Sequence, residues 1–463
     1  MKINFFLKIF LTFVLLSIFT IIVYILFFRS PIYKYKPNLS YEYNFDNSEA
    51  NKYILHLDGN KLNLPKIKGD VTAFLKVEVT TNFFSKLFKS SIRLVSEDLS
   101  VINDFEKGAK NTRYINISKL INSNSGEIDF FYNNIAIIDP TVELIIFKNS
   151  TIQNKRTLII APHPDDAEIA AYGLYAKNSN SFVVTITAGE AGDFTYDEVY
   201  KDTIKHYLKK GQLRTLNSIT VPLLGGIPYQ NIVNLGFFDT TLEAMYKNDT
   251  LAVKSKYCKS DDINTFRKQN ISNLKNGLKG IANWNSLIDN LCYLLDTIKP
   301  EIIVSPYPLL DTHNDHKFST IALIEALKKS NIKDGQLLLY TNHYPLSDLY
   351  PYGETGHAIT LPPNFNKNLY FKSIYSNPLS NELQQDKIFA LEDMNDLRLD
   401  TEWRSPKGAI KIALKTIKRK YLGPQIDYFR KSVRSNELFF VMPISDIYDK
   451  EKLKIITDYI VSK

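Results

Sequence analysis

Thr157-Leu158-Ile159-Ile160-Ala161-Pro162-His163-Pro164-Asp165-Asp166-Ala167-Glu168 opens on an apolar, β-branched run and closes on carboxylates, ahead of residues 169–176 with helix-like spacing. The pattern predicts strand, sharp turn, helix, with a histidine and two aspartates on the turn. Such turns lie at the carboxyl ends of strands in open α/β sheets, where ligands bind. A second strand, Glu301-Ile302-Ile303-Val304-Ser305-Pro306, runs on into Asp311-Thr312-His313-Asn314-Asp315-His316. Two distant strand ends therefore each deliver histidine and carboxylate.

That pairing suits a metal. A catalytic zinc site takes three protein ligands, imidazole and carboxylate among them, and leaves a position for water. His163, Asp166 and His316 can supply the set, because His163 and Asp166 stand three apart across a turn and can face one point. Asp165 is then left over as a base and His313 as a donor. The other reading makes Pro164-Asp165-Asp166 a helix cap, with its carboxylates on the first turn. Capping does not explain why three of the seven histidines fall in these two turns.

The paired motifs, Pro-His-Pro-Asp-Asp-x-Glu and His-x-Asp-His, resemble the signature of the PIG-L/LmbE-like zinc deacetylases. The resemblance covers residues 155–325, and more loosely the chain to about residue 440. It implies a Rossmann-like α/β fold, a mainly parallel sheet with helices on both faces. It also implies hydrolysis of the N-acetyl group of N-acetylglucosamine or a related amino sugar. Carried over by position, His163, Asp166 and His316 ligate one Zn2+ and Asp165 is the general base. His313 stabilises the oxyanion as a protonated imidazole, with Asp315 holding its charge and orientation. Arg214 and Asp239 match positions that contact substrate. Three departures stand out: Ala170-Ala171-Tyr172-Gly173 replaces the usual glycine pair, Asn217 replaces an acid, and Asp311 stands where some members carry tyrosine. None of the three is expected to touch the metal ligands.

Residues 9–28 carry no charge and are flanked by Lys8 and Arg29. Twenty such residues match a single transmembrane helix, and the lack of a small-residue cleavage site makes it an uncleaved anchor. A signal-anchor pattern puts the catalytic domain outside the cytoplasm. The chain thus divides into an anchor with its flanks (1–36), an accessory domain (37–154) and a deacetylase domain with a C-terminal extension (155–463). Short alternating runs in the accessory region, among them residues 53–57, 71–81, 91–95, 128–132 and 142–147, predict a small all-β sandwich. Residues 336–340 read as a further strand of the α/β sheet. The irregular stretch after them holds His343 and His357, each a candidate to reach the site, since long loops carry function. Residues 382–398 have helical spacing, and the basic run 407–420 reads as a solvated or amphipathic helix face.

A net charge of +8 and a pI near 9.0 suit partners such as an anionic membrane or an acidic glycolipid. The lysines are scattered and no nucleic-acid motif accompanies them, which excludes that class. Cys258 and Cys292 form no CxxC, so they indicate no metal or redox motif. The expectation is a membrane-anchored N-deacetylase acting on an amino sugar in an envelope polysaccharide or lipid-linked glycan. Its cofactor is Zn2+ or another divalent ion of similar ligand taste. The alternatives are another amide hydrolase on the same scaffold, of the mycothiol-conjugate amidase kind, and a non-catalytic glycan-binding protein. Oligomeric state is not readable from the chain.

Overall fold

Alternation along the strands organises the structure. The computed structural model describes residues 5–23, 33–394, 413 and 428–457, apart from 87, 122, 124, 195, 198, 366 and 367. Nine strands come first: β1 (Asn51–Asp58), β2 (Lys61–Asn63), β3 (Val71–Thr81), β4 (Ser90–Ser96), β5 (Leu99–Phe105), β6 (Lys110–Asn116), β7 (Glu127–Asn133), β8 (Ile135–Ile137) and β9 (Thr141–Lys148). They form one antiparallel sheet in the order β5-β4-β7-β2-β1-β9-β3-β6, with β8 beside β3. Residues 51–56 of β1 pair with β9 and residues 57–58 pair with β2. One strand therefore joins what a sandwich would keep as two sheets. Val101 and Phe105 at one end of the order share a core with Ala73, Leu75 and Ile115 at the other, so the sheet curls on itself. Phe74, between Ala73 and Leu75, points the opposite way and joins Tyr114, Ile145 and Phe147 in the core of the second sheet. Both faces of β3 are buried for that reason.

The second sheet contains β10 (Thr157–Ala161), β11 (Ser181–Thr187), β12 (Ile232–Phe237), β13 (Ile302–Pro306), β14 (Gln336–Tyr340), β15 (Ser373–Pro378) and β16 (Asn436–Pro443), in the order β12-β11-β10-β13-β14-β16-β15. Leu158 and Ile160 of β10 face one apolar cluster and Ile159 and Ala161 the other. The helices that follow α1 (Phe5–Val23) include α2 (Asp166–Ala176), α3 (Thr203–Leu224), α4 (Leu242–Lys247), α5 (Asn264–Arg267), α6 (Trp284–Ile298), α7 (Asn314–Ser330) and α8 (Asn381–Glu392). The chain runs outward from β10 to β11 and β12, then reverses to β13 and β14. The reversal opens a crevice at the carboxyl ends of β10 and β13, which is where such sheets bind ligands.

Three expectations about architecture are corrected here. The α/β sheet is mixed rather than a mainly parallel Rossmann-like one, because β16 runs antiparallel to β14 and to β15. The accessory region is one large curled antiparallel sheet, not a small sandwich. Among the described residues no helix is long and apolar enough to cross a membrane. The described helix spans Phe5–Val23 and contains Lys8. A single-pass anchor, and with it a placement outside the cytoplasm, is therefore not supported. Residues 24–32, the basic run 407–420 except for Ala413, and residues 395–398 of the expected helix lie outside the described residues.

The Ala170-Ala171-Tyr172-Gly173 run holds a kink in α2, with Ala171 at φ −142° and ψ 17°. The kink frees backbone groups that side chains then satisfy. Gly173 and Leu174 donate their N–H groups to the Glu437 carboxylate at 2.7 and 2.9 Å, and Lys387 Nζ donates to Ile169 O at 2.9 Å. Lys387 and Glu437 meet at 3.0 Å, both fully buried. An inserted ion pair is a known cause of kinks. It ties the helix that begins at Asp166 to β16 and α8. Replacing Glu437 by alanine would strand the Lys387 charge and two amides, at a cost of about 3–5 kcal/mol. Denaturant unfolding checks this, and a loss below about 1 kcal/mol would mean that the kink is held by other contacts.

Candidate active site

Each of the five parallel strands leads to a residue of the site just past its end. His163 follows β10, Gly189 follows β11, Asp239 follows β12 and Asn342 follows β14, while β13 leads through Pro308–Leu310 to Asp311 and the start of α7. The turn after β10 is pinned by Thr187, whose N–H and hydroxyl both donate to Pro162 O, at 3.0 and 2.9 Å. Asp165 adopts φ 123°, a region that costs a non-glycine residue roughly 1–3 kcal/mol. Arg214 on α3 holds it there, donating from Nη2 to Pro164 O at 2.5 Å and to Asp165 Oδ2 at 3.2 Å. Gly189 makes room for the arginine. At φ 64°, a Cβ on it would fall 2.6 Å from Arg214 Nε and 2.8 Å from Pro164 Cδ.

Three donor atoms converge beside this turn. His163 Nδ1 lies 3.2 Å from Asp166 Oδ2, Asp166 Oδ2 lies 3.0 Å from His316 Nε2, and the two nitrogens are 3.3 Å apart. The far nitrogens face carboxylates: His316 Nδ1 lies 2.9 Å from Asp311 Oδ2, and His163 Nε2 lies 3.2 Å from Asp239 Oδ1 and 3.3 Å from Asp315 Oδ2. Protons assigned to those outer nitrogens leave the inner ones as lone pairs aimed at a shared point. Tetrahedral zinc with ligands at about 2.0–2.1 Å needs donors about 3.3 Å apart, so the residues present fit a metal ion. Asp166 is steadied on both sides, by the His163 N–H on Oδ2 at 2.9 Å and by Asn342 Nδ2 on Oδ1 at 2.7 Å. Helix capping does not account for these carboxylates, since Asp165 makes no side-chain cap hydrogen bond and Asp166 turns back to His163.

Without a cation the triangle fills with protons instead. Burial opposes charge on His316, but Asp166 and Asp311 outweigh it and lift the imidazole to about 10. Burial likewise opposes a charged His163, and Asp239, Asp166 and Asp315 raise it well above its usual value. Metal binding displaces protons from such donors.

His313 and Asp315 relate differently from the sequence expectation. The imidazole of His313 sits edge-on to His163, with ring centroids 4.6 Å apart, and its Nδ1 accepts the Asp315 backbone N–H at 3.2 Å. Burial, then the charges of His163 and His316, push it down to about 4. With Nδ1 acting as acceptor for that amide, Nε2 is the nitrogen left to donate. The Asp315 carboxylate accepts from the Thr240 and Leu242 amides at 2.6 and 3.2 Å, and it faces His163.

Of the two loop histidines, His343 reaches the site. Its ring centroid is 4.9 Å from that of His316, and with Asp166 and His316 it forms one further possible donor group, as do His163, His313 and His316, and His163, Asp239 and Asp315. His357 instead contacts Asp104 of the antiparallel sheet at 2.5 Å. Cys258 and Cys292 are both free thiols. Asp311, expected to stand clear of the candidate metal ligands, lies 2.9 Å from Nδ1 of one of them, His316. Asn342 and Glu190 went unnoticed in the sequence. Asn342 had a usable signal, the same two-residue offset from a strand end that marks His163. Glu190 is buried, accepting from Asp239 N at 3.0 Å and Ser255 Oγ at 2.7 Å.

Residues 158–327 match the sequence model of the PIG-L family, described as GlcNAc-PI de-N-acetylase. This stretch is a PIG-L domain. The domain spans both ligand-bearing turns, from β10 to the body of α7. Its family is one of deacetylases, and the clustered histidines and aspartates could hold a metal. No curated protein sequence matches the chain at a significant level. Among solved structures, the chain is similar to a triple mutant of the deacetylase Orf2 of the teicoplanin biosynthetic pathway, at 15% identity over 62% of this chain and 98% of that one, with a TM-score of 0.33. It is also similar to the A40926 pseudoaglycone deacetylase Dbv21, at 14% identity, 63% and 98% coverage and a TM-score of 0.32. A conserved protein from Thermus thermophilus, TT1542, follows at 16% identity, 62% and 94% coverage and a TM-score of 0.30. At such scores these likenesses fix neither substrate nor mechanism.

Burial, then the charge of Asp239, raises the Glu190 carboxyl from 4.5 to about 8. The folded PIG-L domain therefore keeps a proton that the unfolded chain releases. That stability is full below about pH 4.5 and is lost as pH rises through about 8. Glu190→Gln should flatten the decline in unfolding free energy between roughly pH 5 and pH 8. Identical pH profiles for the two proteins would contradict it.

Proposed function

We propose that the chain is a zinc-dependent amidohydrolase that removes the N-acetyl group of an amino sugar. The observation that carries the proposal is the triangle of His163 Nδ1, Asp166 Oδ2 and His316 Nε2, with Asp165 and His313 beside it as base and donor. Two imidazoles and a carboxylate are a zinc-type donor set, although other divalent ions share it. When bound, the ion supplies Lewis acidity, polarising the amide carbonyl and acidifying a water.

The protein groups supply the rest. Asp165, strained and gripped by Arg214, takes the proton of the attacking water and returns it to the departing nitrogen. The His313 Nε2–H donates to the oxygen that gains charge as the carbonyl carbon becomes tetrahedral. Collapse breaks the C–N bond, and the products are acetate and the free amine. Asp239, at the crevice mouth beside His163, is placed to accept from a sugar hydroxyl. Arg214 serves through Asp165 rather than by touching substrate itself.

The amino-sugar class rests on the family description. An envelope or lipid-linked carrier drew its support from the expected membrane anchor, so the proposal stops at the sugar. No observation favours a mycothiol-type conjugate over a sugar. A non-catalytic glycan binder would have no use for an arginine-held aspartate in a strained conformation beside three converging donors.

Acetate release from N-acetylglucosamine oligomers and N-acetylglucosaminyl lipid, read together with bound zinc, tests the roles. Asp165→Asn should retain zinc while turnover falls by about 10²–10⁴. His316→Ala should lose zinc and activity together. Equal zinc loss in both variants would show that base and ligand have been assigned in the wrong order.

A further inference from the structure

Resting on the metal site proposed above, we infer that Asp311 and Asp315 are positioning residues, each fixing the tautomer of one ligating imidazole, and that Asp315 serves His163 rather than His313. The two aspartates flank His313 at either side by two residues, so sequence alone pairs neither with a distant histidine. The structure separates them. Asp311 is 2% exposed; its Oδ1 accepts the His313 N–H at 2.9 Å, and its Oδ2 takes His316 Nδ1 at 2.9 Å. The same Oδ2 faces the amides of Asn342 and His343, at 3.4 and 3.3 Å. One carboxylate thus joins a ligand, the donor histidine and the loop whose Asn342 steadies Asp166.

Asp315 is 1% exposed and is fixed from the opposite side of the crevice. Thr240 and Leu242, in the chain after β12, donate their amides to its two oxygens, and Oδ2 then lies 3.3 Å from His163 Nε2. Asp239 approaches the same Nε2 at 3.2 Å but is 9% exposed. It is the partner that can turn to substrate while Asp315 keeps the proton in place. An imidazole whose outer N–H is held by a carboxylate has one tautomer, one orientation and a more basic inner nitrogen. Both ligating histidines are held in this way, and the oxyanion donor His313 is not.

Zinc titration of the full chain against a chelating chromophore tests the assignment without recourse to turnover. Asp311→Asn and Asp315→Asn keep shape and acceptor atoms, and each should weaken zinc binding by about 10–100-fold. His313→Gln should leave the zinc affinity within about threefold, since the proposal gives His313 no part in holding metal. Wild-type affinity in both Asn variants would overturn the proposal. So would an Asp315→Asn variant that matches His313→Gln, losing turnover with zinc affinity intact, because Asp315 would then act through His313. Should Asp315→Asn fail to fold, Asp311→Asn decides the tautomer claim in the same titration. A wild-type chain that takes up no zinc would instead refute the metal site itself, a result distinct from either.

Discussion

Two imidazole nitrogens and a carboxylate oxygen held 3.0–3.3 Å apart, shielded from water, demand a positive charge between them. Protons can meet the demand, which is why burial fails to keep His163 and His316 neutral when nothing else is bound. A divalent ion could meet it as well, because the outer nitrogens already face carboxylates. The rest of the site follows from that constraint. Asn342 holds one oxygen of Asp166, Asp311 and Asp315 face the outer nitrogens of the histidines, and a strained backbone and an arginine hold Asp165.

The fold answers the constraint by position. Where the parallel part of the mixed sheet reverses its strand order, several strand ends open on one crevice. Here β10 and β13 flank the reversal and bring the two ligand-bearing turns together. Strands β11, β12 and β14 supply the glycine that admits Arg214, the carboxylate at the mouth and the amide behind Asp166. The strain in Asp165 and the kink in α2 lie within six residues of each other, so the ligand-bearing helix depends on packing from both ends. Glu437 and Lys387 come from the far end of the chain to satisfy it. The antiparallel sheet adds a second layer of support, since Phe74, Tyr114, Ile145 and Phe147 pack into the α/β core rather than their own.

Much of the site was legible in the chain because its signals are local. An apolar strand running into Pro-His-Pro-Asp-Asp carries its own geometry, and the recurrence at His313–His316 names the second half. What was not legible depends on contacts between distant segments. Nothing in residues 436–443 shows that they run antiparallel beside β14, and nothing in residues 51–58 shows that one strand joins two halves of a sheet. The contacts of the Asp315 carboxylate were not legible for a simpler reason. Residues two apart at the start of a helix point to different faces, so nearness to His313 in sequence put its carboxylate elsewhere. Asp311 passed for a bystander because its role appears only when His316 folds back one turn onto it.

Anomalous diffraction at the zinc edge, from crystals of the full chain grown with zinc, tests the central claim most directly. One peak about 2.0–2.2 Å from His163 Nδ1, Asp166 Oδ2 and His316 Nε2 is the expected result. A zinc-saturated crystal with no peak there, or with the ion held by His343 in place of His163, would contradict it.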